Sequence, residues 1–185
     1  MLHVFDHLPS KLLDLESRDL HQVLPGPSLF FLDGPKEESV FISTLLHGNE
    51  PTGFEAIKQL LNKPWSHKKR LILLLGNIEA AHLGVRRKDD QPDYNRIWAG
   101  GDSAEEKMAS EVLERVSLEN PIATVDIHNN TGQNPCYSCF NQKDKMHFGL
   151  ASLFSDIIVY FTTPPTTLSV AFSKVAPSTI CLLYT

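Results

Sequence analysis

The stretch "FISTLLHGNEPTGFEAI", residues 41–57, places a histidine and a glutamate between an apolar run and a helical pattern. Its first half is almost wholly apolar and indicates a buried strand. The run ends in a tight turn that carries His47 and Glu50, three residues apart. Pro51 can occupy the first turn of a helix, where its missing N–H costs nothing. Apolar side chains then recur at helical spacing, at Phe54, Ile57 and Leu61.

The same alternation of apolar strands and amphipathic helices extends along the rest of the chain. Strands are predicted at residues 28–34, 39–47, 70–77, 121–128 and 156–163, and helices after Pro51, after Ser103 and at 146–154. Nearly continuous apolar strands that alternate with helices indicate a sheet covered on both faces. We therefore predict one α/β domain over residues 1–185, with a central sheet that is mostly parallel or mixed.

Composition and charge exclude several classes of protein. The net charge of −5 argues against nucleic-acid binding, and the basic run "HKKR" at 67–70 is short. No apolar run is long enough to span a bilayer, and the first twenty residues lack the pattern of a secretory signal. These features predict a cytoplasmic protein that binds neither nucleic acid nor membrane. An exposed apolar strand at the end of the sequence would favour association into a homo-oligomer.

Three cysteines do not make a disulfide framework. Cys136 and Cys139 form a C-x-x-C pair, but a zinc site of that kind would need a second such pair, and the sequence contains none. We interpret these cysteines as structural or incidental.

Polar residues follow the apolar runs at the ends of separate predicted strands. His47 and Glu50 follow one strand, and His128 ends another. In a parallel sheet the carboxyl ends of the strands meet at one edge, where ligands collect. Either histidine alone is more often structural, but two imidazoles and a carboxylate form a donor set that zinc accepts, with a coordination position left open. Asp126, two residues before His128, could orient its imidazole.

Three motifs occur in order along the chain: "HGNEPTG" (47–53), "GNIEAAHLGVRRKDDQPDYNRIW" (76–98) and "DIHNNTG" (126–132). Together they resemble the succinylglutamate desuccinylase/aspartoacylase family, which comprises zinc-dependent relatives of the carboxypeptidases. The resemblance runs from about residue 39 to about residue 132. It implies a carboxypeptidase-like, hydrolase-like α/β core with a mixed sheet, from which the C-terminal portion of the family is expected to be missing.

The resemblance also implies a role for individual residues. His47, Glu50 and His128 would bind one zinc ion, and Asn95 with Arg96 would grip the carboxylate of a small substrate. Arg87 would stabilise the oxyanion of the reaction, with Arg86 as a neighbouring candidate. The implied reaction is hydrolysis of the amide bond of an N-acyl amino acid, or of a C-terminal peptide bond.

The sequence departs from the family at the general base. The family carries a catalytic glutamate in a segment resembling "P-A-x-T-x-E", and the matching stretch "APSTICLLYT" (176–185) places Cys181 or Leu182 at that position. After His128 the only acidic residues are Asp144 and Asp156. Three hypotheses remain open: an altered or shortened form of a longer enzyme, an inactive module that binds zinc and a carboxylate, or an enzyme with an unexpected base. We expect weak or absent hydrolysis.

Overall fold

The computed structural model describes residues 1–63, 69–130 and 132–184. In these ranges eight strands form one mixed sheet. Residues 67 and 68 of the basic run and Thr131 of the third motif lie outside the described residues.

From β3 onward, strands and helices alternate over most of the chain, as the apolar pattern predicts. The strands are β1 (His3–Phe5), β2 (Ser28–Leu32), β3 (Lys36–Thr44), β4 (Lys69–Leu75), β5 (Ala123–Asn129), β6 (Tyr137–Phe140), β7 (Ile158–Tyr160) and β8 (Ser178–Leu183). The helices are α1 (Thr52–Leu61), α2 (Ile78–Leu83), α3 (Ala104–Leu118), α4 (Lys145–Ser152) and α5 (Leu168–Phe172). Two short 3-10 segments, Leu12–Asp14 and Ser17–Gln22, lie between β1 and β2.

The sheet has a parallel centre and reversed ends. Its strand order is β1-β2-β4-β3-β5-β8-β6-β7. The four central strands β4, β3, β5 and β8 are parallel, whereas β2 pairs antiparallel with β4, and β6 pairs antiparallel with β8. The carboxyl ends of β3, β5 and β8 therefore lie side by side. This confirms the predicted mixed α/β sheet and brings the polar strand ends together.

Each face of the sheet is covered by its own apolar core. On one face, Phe41 of β3 and Ile72 of β4 pack with apolar residues of α3 and α5, among them Val112 and Phe172. On the other face, the strand residues that alternate with Phe41 and Ile72 pack against apolar residues of α1 and α2, among them Phe54 of α1. Burial on both faces explains why the central strands read as continuous apolar runs.

Helix α3 begins where the sequence predicts. Ser103 accepts a hydrogen bond from the backbone N–H of Glu106, and the Glu106 carboxylate accepts one from the backbone N–H of Ser103. This reciprocal pair satisfies two N–H groups that the first helical turn would otherwise leave unpaired.

The sequence analysis did not predict the strands β1 and β6 or the helix α5. They contain three, four and five residues, respectively, which is too few for a periodic pattern to emerge. Among the described residues, no helix combines the length and apolar character that crossing a membrane requires.

Gly48 is the point where the turn after β3 touches α2. A Cβ at this position would lie 2.1 Å from the carbonyl carbon of Ala80 and 2.2 Å from the backbone nitrogen of Ala81. Because both atoms belong to the backbone, a side chain could fit only if α2 moved away from the turn.

We expect Gly48→Ala to lower the free energy of unfolding by at least about 2 kcal/mol, since it overpacks a rigid contact. Gly149→Ala is the matched control. Gly149 lies inside α4 with open space around its Cβ position, so alanine should stabilise the protein by about 0.5–1 kcal/mol through helix propensity. Denaturant unfolding measures both variants. Equal stability of Gly48→Ala and the wild type would contradict the close packing of α2 on the turn.

Candidate metal centre

The turn between β3 and α1 holds His47 and Glu50 beside the end of β5. Strand β3 ends at Thr44, and the backbone of the turn is tied to the segment after β4, where Asn77 N–H donates to the Leu45 carbonyl at 2.6 Å. His128 is the sixth residue of β5. His47, Glu50 and His128 are 3%, 4% and 5% exposed, so all three polar side chains are buried together.

Glu50 bridges the two histidines. Its Oε1 lies 2.8 Å from His47 Nδ1, and its Oε2 lies 2.7 Å from His128 Nδ1. Oε2 also accepts a hydrogen bond from the backbone N–H of Asn129 at 3.1 Å. One carboxylate thus holds together the turn after β3 and the end of β5.

A second carboxylate contacts the remaining nitrogen of each imidazole. His47 Nε2 lies 2.9 Å from Asp93 Oδ1, and His128 Nε2 lies 2.9 Å from Asp126 Oδ2. The second oxygen of Asp126 accepts from the Ser43 hydroxyl at 2.7 Å. Asp126 therefore occupies the orienting position that the sequence analysis suggested. Asp93 was missed, although it lies within the second motif, two residues before Asn95.

The carboxylates of the site attract positive charge. Burial opposes ionisation of Glu50, but hydrogen bonds with His128 and His47 hold the pKa of its carboxyl well below its usual range. Partial burial of Asp93 is outweighed in the same way by His47, by the Asn95 backbone and by Arg86, so its pKa is also lowered. Burial favours neutral His128, yet Asp126 and Glu50 raise the pKa of its imidazole.

The hydrogen-bond count leaves room for a cation. The two imidazoles make four contacts with carboxylate oxygens, but two neutral imidazoles supply only two N–H groups. The other two contacts need either two further protons or one divalent ion between the ring nitrogens and Glu50. Two protons and one divalent ion carry the same positive charge. The three carboxylates of Glu50, Asp93 and Asp126 carry two more negative charges than the single guanidinium of Arg86 neutralises, so either would balance the charge of the site.

The donor set suits a metal such as zinc. Ligand atoms of His47, Glu50 and His128 all lie within 4.8 Å of one another. Zinc takes imidazole nitrogen and carboxylate oxygen, and imidazole ligands of metals generally donate their other N–H to a carboxylate or a carbonyl. Here Asp93 and Asp126 provide those acceptors. The residues that are present therefore fit a divalent ion.

Asn95 reaches the centre, and Arg96 lies next to it. Asn95 Nδ2 lies 3.3 Å from His128 Nε2, and its Oδ1 accepts from the backbone N–H of Leu168 at 3.0 Å. This second bond ties the side chain to the start of α5. Arg96 is exposed and donates through Nη1 to the Asn95 carbonyl at 2.7 Å.

The two neighbouring arginines differ in position. Arg86 donates to Asp93 Oδ2 at 3.0 and 3.2 Å, and its Nη1 lies 3.5 Å from Glu50 Oε1. Arg87 is exposed, and its guanidinium donates to the carbonyls of Gln91 and Lys88. The structure thus brings Arg86 to the metal ligands and leaves Arg87 on the surrounding loop.

The register of β8 places Leu182 beside His128. In the parallel pairing of β5 and β8, His128 lies opposite Leu182, and Ile127 lies opposite Cys181. Since successive side chains point to opposite faces, Leu182 shares the face of His128 and Cys181 does not. Of the two positions that the sequence comparison left open for the general base, Leu182 is the one on the side of the metal ligands.

Solved structures with this fold include succinylglutamate desuccinylase from Chromobacterium violaceum, with a TM-score of 0.66 and 20% identity over 80% of this chain and 56% of the other. A succinylglutamate desuccinylase/aspartoacylase from Rhodobacter sphaeroides has a TM-score of 0.68 and 16% identity, over 84% of this chain and 50% of the other. The product-bound ectoine utilization protein from Ruegeria pomeroyi has a TM-score of 0.68 and 17% identity, over 84% of this chain and 52% of the other. The chain spans about half the length of these structures.

A comparison with curated proteins finds no match. A comparison with protein families matches residues 36–181 to the catalytic domain of succinylglutamate desuccinylase/aspartoacylase. That match includes every residue of the centre and most of the sheet, and it confirms the resemblance drawn from the three motifs. The chain belongs to the succinylglutamate desuccinylase/aspartoacylase family.

Proposed function

We propose that the chain carries the zinc centre of a hydrolase that cleaves the amide bond of an N-acyl amino acid or a C-terminal peptide bond. The observation that carries this proposal is the buried Glu50 carboxylate, which joins two imidazoles that are each backed by a second carboxylate. His47, Glu50 and His128 would hold one ion. When bound, zinc supplies Lewis acidity toward an amide carbonyl and toward water.

The groups around the ligands would position a substrate that bears a carboxylate. Asn95 places its amide nitrogen 3.3 Å from His128 Nε2, and its carbonyl oxygen is fixed by the backbone of α5. The exposed guanidinium of Arg96 follows directly in the chain and offers the planar fork that carboxylates prefer. Together they would form a clamp for the substrate carboxylate next to the metal ligands.

We propose Arg86 as the arginine that stabilises developing negative charge. Its guanidinium already lies at Glu50 and Asp93, so a short side-chain movement would bring it to a substrate oxygen. The assignment of this role to Arg87 stays a prediction. Arg87 would first have to release the Gln91 carbonyl, which it contacts at 2.8 Å.

The described residues near His128 leave no carboxylate free to act as the general base, because Glu50, Asp93 and Asp126 all contact the two imidazoles. Leu182 occupies the position beside His128, and Asp144 caps α4 and contacts His147. This observation supports the second candidate function, a module that binds zinc and a carboxylate without turnover. The variant Leu182→Glu tests which of the two functions applies, because its carboxylate would supply the missing proton acceptor.

Protein purified without added metal and then dialysed against one equivalent of zinc at neutral pH should retain about one zinc per chain. His128→Ala should retain none, since it removes a ligand. His147→Ala is the matched control, because His147 is also 5% exposed and also contacts an aspartate but lies outside the centre. Metal analysis by mass spectrometry measures all three proteins. A zinc-free wild type, or a His128→Ala variant that keeps its zinc, would refute the proposed centre.

We expect the zinc-loaded wild type to hydrolyse N-succinylglutamate and N-acetylaspartate weakly or not at all. Leu182→Glu should raise the rate by at least about 100-fold on one of them, because a positioned base contributes that much. Leu183→Glu is the matched control: Leu183 is also half-buried, but it faces the other side of the sheet. Amine release measures the rates. A folded, zinc-loaded Leu182→Glu variant without activity would favour the binding module.

A further inference from the structure

A second pair of histidines lies outside the metal centre. His21 belongs to the 3-10 segment Ser17–Gln22, and His82 belongs to the last turn of α2. The centroids of their rings are 3.8 Å apart, and the ring planes are inclined by 44°. Both side chains are exposed. The two imidazoles therefore meet on the surface although 61 positions of sequence separate them.

One carbonyl fixes the tautomer of both rings. His21 Nδ1 lies 2.9 Å and His82 Nδ1 lies 3.2 Å from the carbonyl oxygen of Arg18. A carbonyl oxygen can only accept, so each Nδ1 must carry the proton in these hydrogen bonds. In the neutral form of each ring, Nε2 then bears a lone pair. Within the described part of the chain, no residue forms a hydrogen bond with either Nε2 atom.

The backbone on both sides of the pair is held in place. Asn77 caps the start of α2, and Gly84 ends the helix in the left-handed conformation at φ 66°. The guanidinium of Arg18 packs over Gly84, which connects the 3-10 segment to the end of α2. The backbone thus holds the two rings side by side, with both Nδ1 atoms on the Arg18 carbonyl.

We propose that His21 and His82 form a second metal site, which takes a divalent transition ion such as Zn²⁺ through their two Nε2 atoms. Imidazoles that bind metals through one nitrogen commonly donate the other N–H to a backbone carbonyl, as both rings do here. Imidazole nitrogen favours Zn²⁺, Ni²⁺ and Cu²⁺ over Mg²⁺ or Ca²⁺. Water completes the coordination of the ion, since both side chains are exposed.

This site differs from the first centre in affinity and consequence. It offers two neutral ligands and no carboxylate, so it binds zinc more weakly than the set of His47, Glu50 and His128. An ion held there cross-links the 3-10 segment to α2. Because α2 packs against Gly48 in the turn that carries His47, an ion bound at the second site would also stabilise the position of that turn.

Equilibrium dialysis against excess zinc chloride at neutral pH tests the proposal. We expect two zinc ions per wild-type chain, and one in each of the variants His21→Ala and His82→Ala. His7→Ala is the matched control and should keep two, because His7 is also exposed but pairs with the Asp6 carboxylate instead of a second imidazole. All three histidines are exposed, so the variants should fold, which circular dichroism verifies.

The His128→Ala variant separates this proposal from the first centre. It should lose the tightly bound ion and keep the weaker one, and His82→Ala should do the reverse. A wild type that binds one zinc under excess metal, with none left in His128→Ala, would overturn the second site. So would the retention of two ions in both His21→Ala and His82→Ala, because the additional ion would then be bound elsewhere on the surface.

Discussion

The buried carboxylate of Glu50 is the constraint on which the rest of the site depends. A charge with 4% of its surface exposed is costly unless positive or hydrogen-bonding groups surround it. Here the surrounding groups are His47, His128, the Asn129 backbone and Arg86. They come from a turn, a strand and a loop, so the fold must bring three separate segments to one point. The parallel centre of the sheet does so by aligning the carboxyl ends of β3 and β5.

Much of this arrangement could be predicted from the sequence, because its main signals are local. Apolar runs marked the central strands, and the capping pair of Ser103 and Glu106 marked the start of α3. Polar residues directly after apolar runs marked His47, Glu50 and His128 as neighbours. These predictions depend on which residues end a strand, and a single sequence is sufficient to show that.

The features that the sequence did not reveal depend on long-range geometry. The antiparallel pairing of β2 with β4 and of β6 with β8 follows from packing between distant segments and leaves no periodic signal. Asp93 was missed because its contact with His47 spans 46 positions. Spacing alone could not decide between Arg86 and Arg87, since the loop that carries them determines which guanidinium reaches Glu50. Leu182 and Cys181 were separated only by the pairing register of β8.

The central claim is that His47, Glu50 and His128 bind one zinc ion, and X-ray absorption at the zinc edge tests it most directly. Protein loaded with one equivalent of zinc should show a first shell of nitrogen and oxygen at about 2.0–2.1 Å, with the multiple scattering of two imidazoles. A shell of sulfur at about 2.3 Å would instead place the ion on cysteine. A shell without imidazole scattering would contradict the account equally, because both histidines would then be structural.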